Sequence, residues 1–189
     1  QDLAYRKGFR KVFNARPDVG GRYSVFTHFG LVPAAVMGID LLKLLGQGNT
    51  SDLQSRKNVP YPANPNLMLG LVLGEAAKHG KDKLTFIAEG FSSSLVPWLE
   101  QLIAESSGKE GKGILPIENE PVLLGQSYPE DRIFVYFKTD GSKAWLAEEQ
   151  KVTGHVVITI AIPDPYALAR EFYRWEYATA IACAVLQVN

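Results

Sequence analysis

The chain has 189 residues, 46% of them hydrophobic and 21% charged, which is enough to bury one substantial core and ordinary for a single globular domain. Its 20 Lys and Arg balance its 20 Asp and Glu, so no global field draws it to nucleic acid or an anionic membrane, and any anionic ligand must be captured locally. The one cysteine, Cys183, leaves no internal disulfide, and its apolar surroundings from Ala180 to Val185 read as a buried, inert thiol in a reducing cytoplasm.

The N-terminus, Gln1 to Lys7, has no apolar signal core, and no run reaches the roughly 20 apolar residues needed to cross a bilayer. Asn49-Thr50-Ser51 matches a glycosylation acceptor, but without an export signal it reads as a polar turn. The first residue is not methionine and the last helical pattern is still apolar at Asn189, so a single domain cut from a longer chain is expected.

Five short runs read as strands: Arg10 to Asn14, Lys83 to Glu89, Ile114 to Ile117, Arg132 to Phe137 and His155 to Ile162. A first helix is predicted over about Phe29 to Leu45. A second covers about Pro65 to His79, with Asn64 as N-cap, Pro65 at the first helical position and Gly80 past the end. A third, about Ser92 to Ser106, has Leu95, Trp98, Leu99, Leu102 and Ile103 on one face and Gly108 to close it. Asp140 to Gln150 and Pro165 to Val188 complete the set, and the polar stretch from Gly46 to Asn64 reads as one long connection, an excursion at a partner interface. Alternation of strand and helix from Lys83 onward argues for a parallel sheet covered on both faces.

Asp18 to Ser24 is the segment densest in chemistry, lying directly after the first expected strand, where open α/β sheets place their ligand crevice. Gly20 and Gly21 let backbone approach a ligand and Arg22 would present its guanidinium there, although an ordinary turn with a solvated arginine has the same spacing. Gln101 and Glu105 are four apart on the third helix, hence stacked on one side. Glu105 sits in the last turn, where the helix dipole disfavours negative charge, as suits a carboxylate that must take up a proton; a solvated glutamate paired with Lys109 is the plainer alternative. Ser92, Ser93 and Ser94 join a strand to a helix N-terminus and could form an anion loop or simply cap the helix.

His28, His79 and His155 lack metal-ligand spacing, so no metal is expected. No Gly-rich dinucleotide fingerprint, phosphate-binding Walker loop or Gly-x-Ser-x-Gly elbow is present, which removes hydride transfer, nucleotide hydrolysis and serine-esterase chemistry. The aromatic and basic residues from Tyr166 to Tyr177 have helical spacing and read as core and interface.

Val19-Gly20-Gly21-Arg22-Tyr23-Ser24 followed by Gly30, and Gln101 through Glu105-Ser106-Ser107-Gly108-Lys109, resemble in order two signatures of glucose-6-phosphate isomerases. The resemblance covers nearly the whole chain. Gly30 to Ala35, Leu99 to Glu105 and Phe172 to Glu176 look closest to the isomerase portion of fused transaldolase/glucose-6-phosphate isomerases. It implies the second sugar-isomerase (SIS) half of such an enzyme, a flavodoxin-like α/β/α sandwich with a five-stranded parallel sheet that needs no cofactor. Glu105 falls where the family has the base that moves a proton between C1 and C2 through a cis-enediol, and Arg22 where an arginine stabilises the enediolate. Gly21 and Gln101 fall on substrate-contacting positions. The substrate would be a phosphorylated sugar, the partners the first SIS half and a second subunit of a homodimer, and the chain alone would be inactive.

The sequence departs from the family in several places. His28 and Phe29 replace smaller residues before Gly30, and Glu176-Tyr177 stands where many members have Glu-His, a histidine that helps open the sugar ring. Tyrosine, with a reference pKa of about 10, is a poor proton shuttle near neutrality. The family's Asp-Gln segment and C-terminal lysine are absent. A non-catalytic SIS module that senses a sugar phosphate through Ser92 to Ser94 is the rival reading; Glu105 with Arg22 discriminates, since a sensor needs no base.

Overall fold

The structure, a computed structural model, describes residues 2–118, 120–121, 127–142 and 144–188. Gln1 and Asn189, read above as chain ends, lie outside the described residues. In chain order the elements are α1 (Asp2–Arg6), α2 (His28–Val36), α3 (Leu41–Ser55), α4 (Pro65–Lys78), β1 (Lys83–Ile87), α5 (Val96–Ser107), β2 (Leu115–Ile117), β3 (Arg132–Lys138), α6 (Ala144–Val152), β4 (Val156–Ala161) and α7 (Leu168–Leu186).

The strands pair in parallel in the order β2-β1-β3-β4. Period-2 alternation sorts their side chains to two faces. Leu84 and Phe86 of β1 join Ile133, Val135 and Phe137 of β3 in the main core, under α4, α5 and α7. Ile87, Phe134 and Tyr136 face the other way and pack with Tyr128 and Ala147, the last of these on α6. The fold is therefore α/β with helices on both faces of a parallel sheet, as the alternation predicts.

Among the described residues the sheet has four strands, not the expected five. Arg10 to Asn14 joins no ladder, and all of its residues but Val12 are exposed. Alternation would put Val12 and Phe13 on opposite faces, so burying either face would bury an arginine or a lysine as well. Phe13 instead rests on the His28 ring, 5.6 Å between centroids, and His28 Nδ1 lies 3.0 Å from the Asn14 carbonyl oxygen.

The single helix expected over Phe29 to Leu45 is two. Thr27 Oγ1 caps α2 by accepting from Phe29 N, the chain breaks at Gly38, and Asp40 caps α3 by accepting from Lys43 N at 3.0 Å. The expected long connection from Gly46 is largely helix, because α3 runs on to Ser55 and carries Asn49-Thr50-Ser51 on a helix, not in a turn. Tertiary contacts overrule its weak propensity. Asn66 Nδ2, fully buried, donates to the Ser51 carbonyl, to Ser51 Oγ and to Ser55 Oγ at 3.1, 3.0 and 2.6 Å. The remaining predicted helices are present, with Asn64 Oδ1 capping α4 by accepting from Leu67 N and Gly108 closing α5.

Helix α7 is the keystone of the main core. Trp175, wholly buried, meets Phe86 and Phe137 edge-on with centroids 5.8 and 6.3 Å away. It lies along α4, and a Cβ on Gly70 would stand 2.5 Å from the Ala178 carbonyl oxygen and 2.6 Å from Ile181 Cβ. Because the clash is with backbone, it cannot be relieved by a rotamer change. Gly70→Ala is expected to destabilise the fold by about 1–3 kcal/mol despite alanine's better helix propensity, and a urea midpoint equal to wild type would contradict this.

Candidate active site

Arg22 is carried on a 3-10 turn, Gly21–Tyr23, that packs across α5. Helical spacing places Trp98, Gln101 and Glu105 on the face of α5 that meets this turn. Trp98 Nε1 donates to the Arg22 carbonyl at 3.2 Å and so anchors the turn from beneath. Ser24 Oγ donates to the Gly21 carbonyl at 2.6 Å and tightens it. Gly30, the last residue of the first motif, is demanded by packing, since a Cβ there would fall 2.0 Å from the Val25 carbonyl oxygen.

The structure brings Arg22, Gln101 and Glu105 together. Arg22 Nη1 donates to Glu105 Oε2 at 3.3 Å, and Gln101 Nε2 donates to Glu105 Oε1 at 3.1 Å, so each carboxylate oxygen has a different donor. Arg22 thereby takes the role that the plainer reading gave to Lys109. The guanidinium is three-quarters buried while the carboxylate is half exposed, a rigid cation beside an accessible base. Gly21 lies at the rim with nothing within 4 Å of where a Cβ would stand. Such a set can accept a proton from a carbon acid at Glu105 while Arg22 meets negative charge on the adjacent oxygen.

Two partners escaped the sequence reading. Ser106 Oγ accepts from Arg22 Nε at 2.8 Å and pairs with the Tyr23 hydroxyl at 3.2 Å. A serine next to the candidate base, in a last turn otherwise turned inward, was the available signal. Tyr23 also stacks under the guanidinium, 5.5 Å from Arg22 Cζ to its ring centroid, and burial pushes its phenol pKa up. Half-buried Cys183 is likewise pushed up by burial, as an inert thiol would be.

The site does not follow a strand, as Asp18 to Ser24 was expected to do. α5 leaves the carboxyl end of β1 and delivers Glu105 near the start of β2, at the amino ends of the strands. Ser92, Ser93 and Ser94 lie on a 3-10 turn, Gly90–Leu95, that leads into the amino end of α5, while Glu105 is near the carboxyl end of that helix, about 14 Å along it from Val96 at 1.5 Å per residue. Ser92 is fully buried, and the three hydroxyls donate to the carbonyls of Glu89, Gly90 and Phe91 at 2.8, 2.7 and 2.7 Å. One sugar phosphate cannot touch both ends. Among the described residues no group of three His, Cys, Asp or Glu side chains could hold a metal, and no helix is long and apolar enough to cross a membrane.

No family model matches the chain. It is similar to the glucose-6-phosphate isomerase of Parabacteroides distasonis, 36% identical over an alignment of 123 residues, gaps included, that covers 60% of this chain and 26% of that protein. The corresponding enzyme of Heliobacterium modesticaldum is 39% identical over 121 residues, 60% of this chain and 25% of the enzyme, and that of Clostridium tetani 40% over 132 residues, 65% and 28%. The matched stretch thus spans about a quarter of the length of these relatives. Among solved structures, a hypothetical protein from Thermus thermophilus superposes with a TM-score of 0.84 at 22% identity, covering 99% of this chain and 55% of that one, a likeness of fold alone. The ordered motifs, the α/β fold that joins them and the identity to these enzymes together make the chain a relative of the glucose-6-phosphate isomerases.

Proposed function

We propose that the chain is the second SIS-type half of a cytoplasmic glucose-6-phosphate isomerase, interconverting glucose 6-phosphate and fructose 6-phosphate through a cis-enediol. The observation that carries the reading is the meeting of Arg22, Gln101 and Glu105, residues far apart in the chain on the two sides of the contact, at 3.3 and 3.1 Å. Glu105 takes the proton from one sugar carbon and returns it to the neighbouring one, and Arg22 stabilises the oxygen that becomes negative between the two steps. Gly21 leaves the rim open for the sugar, and Gln101 holds Glu105 in place until substrate competes for it.

The sugar's phosphate needs a grip that these residues do not supply, and the match to only about a quarter of each relative supports a first SIS half that does. A homodimer, and a transaldolase fused to the same polypeptide, belong to this reading through the motif resemblance. Nothing in the geometry favours the sensor reading, since the hydroxyls of Ser92 to Ser94 are spent on their own turn.

The test is a coupled fructose 6-phosphate isomerase assay on the full-length protein beside the 189-residue chain. Turnover by the former and background rates from the latter are expected. No turnover by the full-length protein would overturn the isomerase, and turnover by the chain alone would overturn the divided site.

A further inference from the structure

Ser106 stands in the last turn of α5, one residue beyond the candidate base. A serine inside a helix commonly donates back to the carbonyl four residues earlier, as Ser107 does to Ile103 at 2.7 Å. Ser106 makes no such bond among the described residues. Although the residue is only 5% exposed, its Oγ is turned sideways to meet Arg22 Nε at 2.8 Å and the Tyr23 hydroxyl at 3.2 Å. Arginine has no acceptor, so the serine oxygen accepts from Nε. The Tyr23 ring lies against the guanidinium, 5.5 Å from Arg22 Cζ to the centroid, and Trp98 Nε1 holds the Arg22 carbonyl at 3.2 Å. The backbone, the guanidinium plane and the Nε of Arg22 are thus each held by a different residue.

An arginine and a carboxylate left to themselves commonly close a two-pronged pair, in which both carboxylate oxygens accept from one guanidinium. Here the pair has a single prong, from Arg22 Nη1 to Glu105 Oε2 at 3.3 Å. Gln101 Nε2 occupies the other carboxylate oxygen and Ser106 occupies Nε, so the fork is held open from both sides. Arg22 Nη2 has no hydrogen-bond partner among the described residues. We infer that Ser106 is a further positioning residue of this site: by engaging Nε it keeps Arg22 from closing a two-pronged pair on Glu105 and leaves Nη2 for the substrate oxygen. Without the serine hydroxyl, Nε is a part-buried donor that has lost its acceptor, and the carboxylate already in contact with the same guanidinium is an acceptor within its reach. Turned onto it, the guanidinium leaves the place where enediolate charge develops, and Glu105 is held in an ion pair instead of serving as a base.

The inference rests on the isomerase reading only for its activity measurement. In the full-length protein carrying isotope-labelled arginine, with Arg22 assigned by Arg22→Lys, the Nε–H resonance of Arg22 should exchange slowly with solvent in wild type and about 10-fold or more faster in Ser106→Ala. Fast exchange in wild type overturns the proposal whether or not the variant folds, and an unchanged rate in a folded Ser106→Ala overturns it equally. With fructose 6-phosphate, Ser106→Ala should lower kcat by about 10-fold or more and leave KM within about 2-fold of wild type, because a misdirected Arg22 is missed in the transition state and not in substrate binding. Ser106→Thr keeps the hydroxyl and should recover both the slow exchange and most of the turnover. A threonine variant with slow exchange but the low turnover of the alanine variant, or a loss in Ser106→Ala carried by KM, counts against Ser106. No turnover by wild type would defeat the isomerase reading instead, with the Arg22 resonance still deciding the role of Ser106.

Discussion

Glu105→Gln is expected to lower turnover of the full-length protein by about 10²-fold or more while leaving its fold and its thermal midpoint nearly unchanged. Glutamine keeps the side-chain shape and can still accept from Arg22, so the turn at Gly21–Tyr23 stays in place on Trp98 and Ser106. What is lost is the basic oxygen that takes the proton. The stability change is small because the Arg22–Glu105 pair is partly solvated, with the carboxylate side half exposed, and exposed pairs contribute only about 0–1 kcal/mol. The measurement is kcat with fructose 6-phosphate beside a melting curve. Full activity in a folded variant would remove Glu105 from the chemistry, and a large fall in melting temperature would recast the pair as structural.

Stability is expected to fall as pH rises from about 4.5 to about 7, the reverse of ordinary acid denaturation. Glu171 on α7 is 1% exposed, and Arg174 Nε lies 3.2 Å from its Oε2 at an angle that gives neither atom a hydrogen bond. Burial, opposed by Arg174 and then by Arg170, lifts the carboxyl from about 4.5 to about 7. Between those values the unfolded chain has lost the proton and the folded chain still holds it, so folding must take up a proton and becomes less favourable as pH rises. The gap corresponds to roughly 3 kcal/mol, present in full below the lower value and lost above the higher. Glu176 acts in the same direction on toward pH 8. Asp52, held low by Tyr173 and Arg56, acts oppositely and only below the ordinary carboxylate range. Urea midpoints at about pH 5 and pH 8 should differ in wild type and differ distinctly less in Glu171→Gln, where Glu176 alone still acts in this direction. Equal pH dependence in the two proteins would mean that water or Arg174 compensates the buried charge.

The helices most legible in the sequence were those whose ends are written in local chemistry. Asn64-Pro65 opens α4 and Gly108 closes α5 because capping and a fixed proline φ act within a few residues. β1 and β3 were legible as continuous apolar runs because both of their faces are covered. Where the reading failed, partners distant in sequence decided the outcome. The course of α3 past Gly46 depends on Asn66 bonding Ser51 and Ser55. The loss of the strand at Arg10 to Asn14 depends on there being no face that can take its charges.

The site divides in the same way. Arg22, Gly21, Gln101 and Glu105 could be named in advance because two short motifs carry their chemistry in residue type and order. That the motifs meet, that Glu105 has a different donor on each oxygen, and that the meeting lies at the amino ends of the strands far from Ser92 to Ser94, depended on how α5 crosses the sheet. Tyr23 and Ser106 stand inside those two motifs, but residue type alone did not show that they pair with each other and with Arg22. By itself the sequence determined the periodicities, the caps and the residue types able to do acid–base work, because these act locally along the chain. Burial and cross-chain hydrogen bonds, which set where charge is tolerated and which groups touch, arise only when distant segments pack, and so only the tertiary structure decided them.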